Sequence, residues 1–292
     1  MAKRNIQRLT AIAAFSGLTT LAAGSAKADI ISANDIANGL SISYQQCSAL
    51  EYSVWVSARN QSFCIRYYVS TKGGAQGRPI VFLQGDEKIK IDPRTRQPDA
   101  AQLRNVDTDN LVRMADAFSR DASAPAIYLA RPGMDGSSGH HYNVRHSVLE
   151  LEIVNAALDA IRRKHNFDGF NLAGQSGGAS LIGALIAMRQ DIGCAIPGSG
   201  RLARLGMSNR SADPSRRTFD PMDGLTAVVR NSTTRIIVLT DPQDQVVKLP
   251  HQSTFVQALQ QRGRAVEQYF IQATDDSHHG AVAHARRAMT LC

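Results

Sequence analysis

The stretch of the sequence with the clearest potential for chemistry is 174–178, which reads Gly-Gln-Ser-Gly-Gly and fits the pattern G-x-S-x-G. An apolar run, FNLA, leads into it, and a second apolar run, ASLIGALIAM, follows it. A strand that turns sharply into a helix would hold the hydroxyl of Ser176 exposed in a strained backbone conformation. Gly174 and Gly178 leave room for that turn, where side chains would collide. The pattern predicts a serine nucleophile beside the free N–H groups of a helix N-terminus.

This strand, turn and helix resemble the nucleophile elbow of the α/β-hydrolase superfamily, and the order of elements is similar over roughly residues 52–291. In that family an acid follows a later strand and a histidine follows the last strand. The resemblance implies that Ser176 is the nucleophile, that Asp244 is the orienting acid and that His279 is the base. The histidine would take the serine proton while the acid fixes its tautomer.

Each of the two partner residues has an alternative nearby. Asp244 lies a few residues past the strand RIIVLT and just before an apolar pair, whereas Asp241 precedes Pro242 and could equally initiate a turn. His279 precedes a glycine, which is common in similar enzymes, and His278 is the alternative base. We therefore expect one histidine of the pair to be a solvated loop residue.

The negative charge that develops on an attacked acyl oxygen needs hydrogen-bond donors already in place. The resemblance implies the backbone N–H of Gly177 as one donor. The second would come from the loop after the strand PIVFLQ, where Gly85 is the candidate, with Gln84 and Asp86 as alternatives. The His-Gly signature of the family stands here as Gln84-Gly85.

Further histidines follow a Gly/Ser-rich loop at 131–139, namely His140, His141 and His146. Their spacing does not suit a metal site, so we expect exposed or lightly structural histidines and no metal. The loop itself is expected to line the pocket, as the equivalent loop does in similar enzymes. Since neither G-K-[ST] nor G-x-G-x-x-G follows a strand, no cofactor is predicted.

The chain alternates strand-like and helix-like segments, which predicts an α/β fold with a mostly parallel central sheet, helices on both faces and an N-terminal antiparallel hairpin. Strands are expected at 52–58, 63–70, 79–84, 126–130, 170–173, 192–196, 235–240 and 266–273. Helices are expected at 111–120, 146–165, 180–189, 250–262 and 281–291. Residues 85–107 are interpreted as a loop.

Residues 1–28 have the pattern of an export signal: a basic start, an apolar run and a small-residue cleavage site at Ala26-Lys27-Ala28. We therefore expect a mature domain of 29–292, in which 198–234 could form a small cap or a surface excursion. The formal charge of +8 includes four Lys or Arg in 1–28, which leaves +4 after removal of the signal. With no dense basic run, nucleic-acid binding is not expected, and neither is a stable membrane span after processing.

The four cysteines fit a periplasmic or secreted protein, because disulfides persist in oxidising compartments. Four cysteines allow three pairings. We favour Cys47–Cys64, which closes a local loop, together with Cys194–Cys292, which pins the C-terminal helix to the sheet.

Taken with the resemblance, these features predict an exported serine hydrolase that cleaves an ester or related acyl bond through an acyl-enzyme. Its partner would be a small-molecule acyl substrate or a peptide. The alternatives are a peptidase of the same fold, an acyltransferase that uses the same intermediate, and a binding protein that kept the fold without catalysis.

Overall fold

The computed structural model describes residues 30–86, 105–206, 213, 216–231 and 233–292. The strands in this part are β1 Ile30–Ile31, β2 Ser53–Ala58, β3 Gln61–Ser70, β4 Ile80–Leu83, β5 Val106–Asp107, β6 Ala126–Leu129, β7 Phe170–Gln175, β8 Ile192–Gly198, β9 Arg235–Thr240 and β10 Glu267–Phe270. The helices are α1 Ala33–Asn38, α2 Tyr44–Ser48, α3 Thr108–Ala122, α4 His141–Val144, α5 Val148–His165, α6 Gly177–Met188, α7 Leu225–Arg230, α8 Pro250–Gln260 and α9 Val282–Ala288. Short 3₁₀ helices lie at Pro221–Gly224 and Met289–Leu291.

Among the described residues, eight strands form the central sheet in the order β10-β9-β8-β7-β4-β6-β3-β2. The strands from β10 to β6 pair in parallel, whereas β3 pairs antiparallel with β6 and with β2. The predicted parallel sheet and N-terminal hairpin are therefore confirmed. Because the carboxyl ends of parallel strands meet at one edge of a sheet, the loops that follow β4, β7, β8, β9 and β10 come together there.

Both faces of the sheet are covered by helices, because alternate residues of each strand point to opposite sides. In β4, Val81 and Leu83 pack with α5 and α6, whereas Ile80 and Phe82 pack with α3 and α9. All four side chains are at most 1% exposed. Burial of each contributes roughly 1.5–3 kcal/mol, and it fixes the strand from which the loop carrying Gly85 starts.

Helix α6 is buried around nearly its whole circumference, with every residue from Gly177 to Ile186 in the interior. An all-apolar helix of this kind suits the core of an α/β protein. The helix begins three residues before its predicted start at 180 and includes two glycines, which are poor helix formers in general; Gly178 packs closely against the end of β4. Helix α5 begins at Val148, where the hydroxyl of Ser147 caps it by accepting from the N–H of Glu150.

The structure also differs from the sequence-based expectation in small elements. The interpretation of 85–107 as a loop is wrong at its end, where β5 pairs antiparallel with β1; residues 87–104 lie outside the described part. Helices α1, α2, α4 and α7 were not predicted, because each has only four to six residues and so little periodicity to detect.

Both favoured disulfides are present, Cys47–Cys64 and Cys194–Cys292. The second joins β8 to the last residue of the chain across a separation of 98 residues. A crosslink that closes so long a loop stabilises by about 2–4 kcal/mol.

Two expectations rest on residues the structure does not describe. The export signal at 1–28 lies outside the described residues, and so does part of 198–234, whose described portion holds the 3₁₀ helix and α7. None of the described helices has the length and apolar character needed to cross a membrane.

Candidate active site

Ser176 is the single residue between the end of β7 and the start of α6, with φ 54° and ψ −116°. A serine rarely adopts a positive φ, and such a conformation costs about 1–3 kcal/mol. Two backbone hydrogen bonds hold it: its N–H donates to the carbonyl of Gly198 at 2.9 Å, and its carbonyl accepts from the N–H of Ser180 at 3.0 Å. The fold therefore maintains a tight elbow at this serine.

The glycines two residues to either side of Ser176 are required by close packing. A Cβ at Gly178 would lie 2.1 Å from the carbonyl oxygen of Leu83, and one at Gly174 would lie 2.8 Å from the side chain of Ile182. The expected collision of side chains at these two positions is thus confirmed. The elbow can approach β4 closely only because both residues lack a side chain.

His279 and Asp244 form a buried pair in the loops after β10 and β9. Nδ1 of His279 lies 2.8 Å from Oδ2 of Asp244, and the two residues are 4% and 1% exposed. The other carboxylate oxygen accepts from the N–H groups of Val246 and Val247, each at 2.8 Å. An ionised carboxylate only accepts, so Nδ1 carries the proton and Nε2 is left as a potential base.

A second His–Asp pair runs beside the first, formed by the two alternative residues. Nδ1 of His278 lies 3.2 Å from Oδ2 of Asp241, which also accepts from the N–H of Ala273 at 2.8 Å. Burial opposes ionisation of Asp241, but the N–H groups of Ala273 and Gln243, together with His278, outweigh it and lower the pKa of that carboxyl. His278 lines a different pocket from Ser176.

The loop that carries both histidines is held by Asp275. One of its carboxylate oxygens accepts from the N–H of His279 at 3.0 Å and from that of Gly280 at 2.6 Å. The hydrogen bond from Ser277 is the largest influence on this carboxyl, and with the two backbone donors it lowers the pKa of Asp275. These bonds fix the direction in which each imidazole leaves the loop.

Ser176 and His279 line the same pocket, of about 400 Å³, at the carboxyl edge of the sheet. Gly85, Asp86, His146 and Arg201 share its wall. Within the described part of the chain, no hydrogen bond joins the hydroxyl of Ser176 to His279. Catalytic hydrogen bonds are often long before substrate binds and tighten in the reacting complex.

The two candidate oxyanion donors adjoin Ser176. A Cβ at Gly85 would lie 3.0 Å from Cβ and 3.7 Å from Oγ of the serine. Gly177 opens α6, and the first N–H groups of a helix have no acceptor within it. The backbone of both glycines therefore lies beside Ser176.

A buried charge network that the sequence analysis did not identify supports the loop with Gly85. Arg131, 1% exposed, donates from one terminal nitrogen to Asp86 at 2.7 Å and to the carbonyl of Gln84 at 3.2 Å. Its Nε donates to Glu150, a fully buried residue of α5, at 2.8 Å. The guanidinium thus ties the residues on both sides of Gly85 to a core helix. No spacing in the sequence links these positions.

Two of the histidines expected to be exposed or lightly structural belong to this network. Nε2 of His146 lies 2.6 Å from Oδ2 of Asp86, and His141 is fully buried with Nε2 3.6 Å from Oδ1. The expectation was wrong for His141. Burial opposes ionisation of Asp86, but the charge of Arg131 and then the two histidines outweigh it, so its pKa lies well below the usual range. Burial is also the main cause of the lowered pKa of His141.

No protein-family model and no curated protein sequence matches the chain. Several solved structures are similar in fold. Est1E from Butyrivibrio proteoclasticus with ferulic acid bound is 13% identical with a TM-score of 0.51, over 82% of this chain and 96% of that one. Pyrococcus furiosus esterase Pf2001 is 11% identical with a TM-score of 0.56, over 90% and 92%. An acylaminoacyl peptidase is 12% identical with a TM-score of 0.51, over 82% of this chain but 39% of that one.

Proposed function

We propose that this chain, which has the α/β-hydrolase fold, is an exported serine hydrolase that cleaves an ester or related acyl bond. The observation that carries the proposal is the buried His279–Asp244 pair, whose histidine lines one pocket with a serine held at a strained elbow. A serine hydroxyl is a poor nucleophile until a base takes its proton. The pair supplies a base with a fixed tautomer beside such a hydroxyl.

In the proposed reaction, Nε2 of His279 takes the proton of Ser176 as Oγ attacks the acyl carbon. The N–H groups of Gly177 and Gly85 stabilise the negative charge on the tetrahedral oxygen. The carboxylate of Asp244 stabilises the imidazolium that forms on His279. The imidazolium then gives its proton to the leaving alcohol, and an acyl-enzyme forms on Ser176. Water repeats the sequence with the same base, which releases the acid and restores the serine.

Export is proposed from two features that agree. The pattern at 1–28 is typical of a signal peptide, and the two disulfides suit an oxidising compartment. N-terminal sequencing of the protein recovered from the periplasm or the medium should begin near Asp29. Recovery of the full-length chain from the cytoplasm alone would contradict this part of the proposal.

The hydrolase proposal is tested with 4-nitrophenyl butyrate and a panel of aminoacyl 4-nitroanilides. Wild-type protein should cleave the ester, Ser176→Ala and His279→Gln should each lose about 10³-fold or more in kcat, and His278→Gln should stay within threefold. Since an acylaminoacyl peptidase has a similar fold, cleavage of the anilides alone would favour the peptidase alternative. Folded wild-type protein that cleaves neither would favour the binding protein.

A further inference from the structure

Arg201 contributes a positive charge to the wall of the pocket. It lines the pocket together with Ser176 and His279. Asp86, an acid in that wall, is already paired with Arg131 at 2.7 Å and with His146 at 2.6 Å. Within the ranges the structure describes, no carboxylate lies within 4.0 Å of the Arg201 guanidinium. A cation left unpaired in a partly enclosed site favours an anionic ligand.

The backbone of Arg201 is fixed relative to the nucleophile. Its N–H donates to the hydroxyl of Ser180 at 3.0 Å, and that hydroxyl donates to the carbonyl of Ser176 at 3.1 Å. The preceding Gly200 packs against α6, where an added Cβ would lie 2.7 Å from that of Ala179. The backbone from which the Arg201 side chain extends is therefore joined to the elbow through one residue, Ser180.

The charge of Arg201 also acts on a second arginine, Arg204. Burial is the main cause of the lowered pKa of Arg204, and the positive charge of Arg201 is the next. The backbone N–H of Arg204 donates to Asp220 at 3.1 Å, and the charges of Asp220 and Asp86 partly offset that of Arg201. An anion bound to the Arg201 guanidinium would offset part of its charge.

We propose that Arg201 binds a carboxylate of the substrate, so that the site hydrolyses esters which carry a negative charge near the scissile bond. This inference rests on the proposed function and names its substrate class. A guanidinium offers parallel N–H donors that match the two oxygens of a carboxylate, an arrangement that gives orientation as well as affinity. The charged group would hold the acyl carbon in place over Ser176.

The test compares matched esters that differ in one charge. Mono-4-nitrophenyl adipate carries the carboxylate on the acyl side, and its methyl-capped diester is the neutral partner. The pair 4-acetoxybenzoate and methyl 4-acetoxybenzoate places the charge on the leaving group instead. For wild-type protein, at least one charged ester should have a kcat/KM about tenfold or more above its neutral partner, as expected for a hydrogen bond to a charged group.

Arg201→Gln should reduce that charged-to-neutral ratio about tenfold, whereas Arg230→Gln, on the exposed face of α7, should leave it unchanged. If Arg201→Gln does not fold, Arg201→Lys is measured instead, because it keeps the charge but loses the planar guanidinium. A charged-to-neutral ratio of kcat/KM below that of wild type then supports the proposal. An unchanged ratio, or an equal loss on both esters of a pair, overturns it. Failure of the wild type on every ester of both pairs, charged and neutral, would instead contradict the proposed function itself.

Discussion

The substitution Asp244→Asn separates the proposed acid from its neighbour most sharply. Its Oδ1 must remain the acceptor for the N–H groups of Val246 and Val247, both 2.8 Å away, since an amide nitrogen cannot accept. The new amide nitrogen then replaces Oδ2, 2.8 Å from Nδ1 of His279, so two donors would face each other. The imidazole relieves this by moving its proton to Nε2, which leaves no base for Ser176.

The same change of tautomer in a Ser-His-Asp triad costs about 10⁴ in kcat, or about 5.5 kcal/mol of transition-state stabilisation. We expect a loss of this order here, with a nearly unchanged melting temperature because the backbone hydrogen bonds survive. Steady-state hydrolysis of 4-nitrophenyl butyrate measures kcat, and calorimetry measures the melting temperature.

The comparison variant is Asp241→Asn, which alters the parallel pair with His278 and should change kcat less than threefold, although its melting temperature should fall because both carboxylate oxygens accept backbone N–H groups. Asp241 is as buried as Asp244, at 2% and 1% exposure, so a general effect of a buried amide would affect both variants alike. An Asp244→Asn enzyme that keeps a tenth of its activity, or an Asp241→Asn enzyme with the larger loss, would refute the assignment of the acid.

Three further outcomes follow from the packing around the site. Arg131→Met should lower the free energy of unfolding by about 3–5 kcal/mol, because it leaves the carboxylates of Asp86 and Glu150 without their buried partner; a loss below about 1 kcal/mol in urea denaturation would contradict this. Since the folded-state pKa of Asp86 lies below its unfolded value, the stability it contributes is full above about pH 4 and is lost as the pH falls further. Thermal unfolding at pH 7 and pH 3 should show this decline, and a smaller one in Arg131→Met. Gly178→Ala should prevent folding or lower the melting temperature strongly, because its Cβ would lie 2.1 Å from the carbonyl of Leu83; a wild-type melting curve would argue against the tight elbow.

The sequence predicts the buried elements well, because strands covered on both faces must be continuous apolar runs. The run RIIVLT at 235–240 matches β9 at both ends, and PIVFLQ contains β4. The elbow is predictable for a local reason: glycine at positions 174 and 178 has a steric role that can be inferred from five consecutive residues. The disulfide pairing is predicted because one bridge closes a local loop and the other pins the C-terminal helix to the sheet.

What the sequence does not predict depends on contacts between distant residues. Arg131 meets Asp86 across 45 positions and Glu150 across 19, and no periodicity marks such a triad. The burial of His141 follows from that network and not from its own surroundings in the sequence. Likewise, the sequence alone leaves both Asp241 and Asp244 as plausible acids. The packing of the loops after β9 and β10 pairs Asp241 with His278 and Asp244 with His279.

The most direct test of the central claim, that the hydroxyl of Ser176 meets the imidazole of His279, is the rate of labelling by a fluorophosphonate, followed by intact mass and peptide mapping. We predict one adduct per wild-type chain, on Ser176, with a rate that falls about 10³-fold or more in His279→Gln and stays near wild type in His278→Gln. An adduct on another residue, no labelling of folded wild-type protein, or equal rates for His279→Gln and wild type would contradict it.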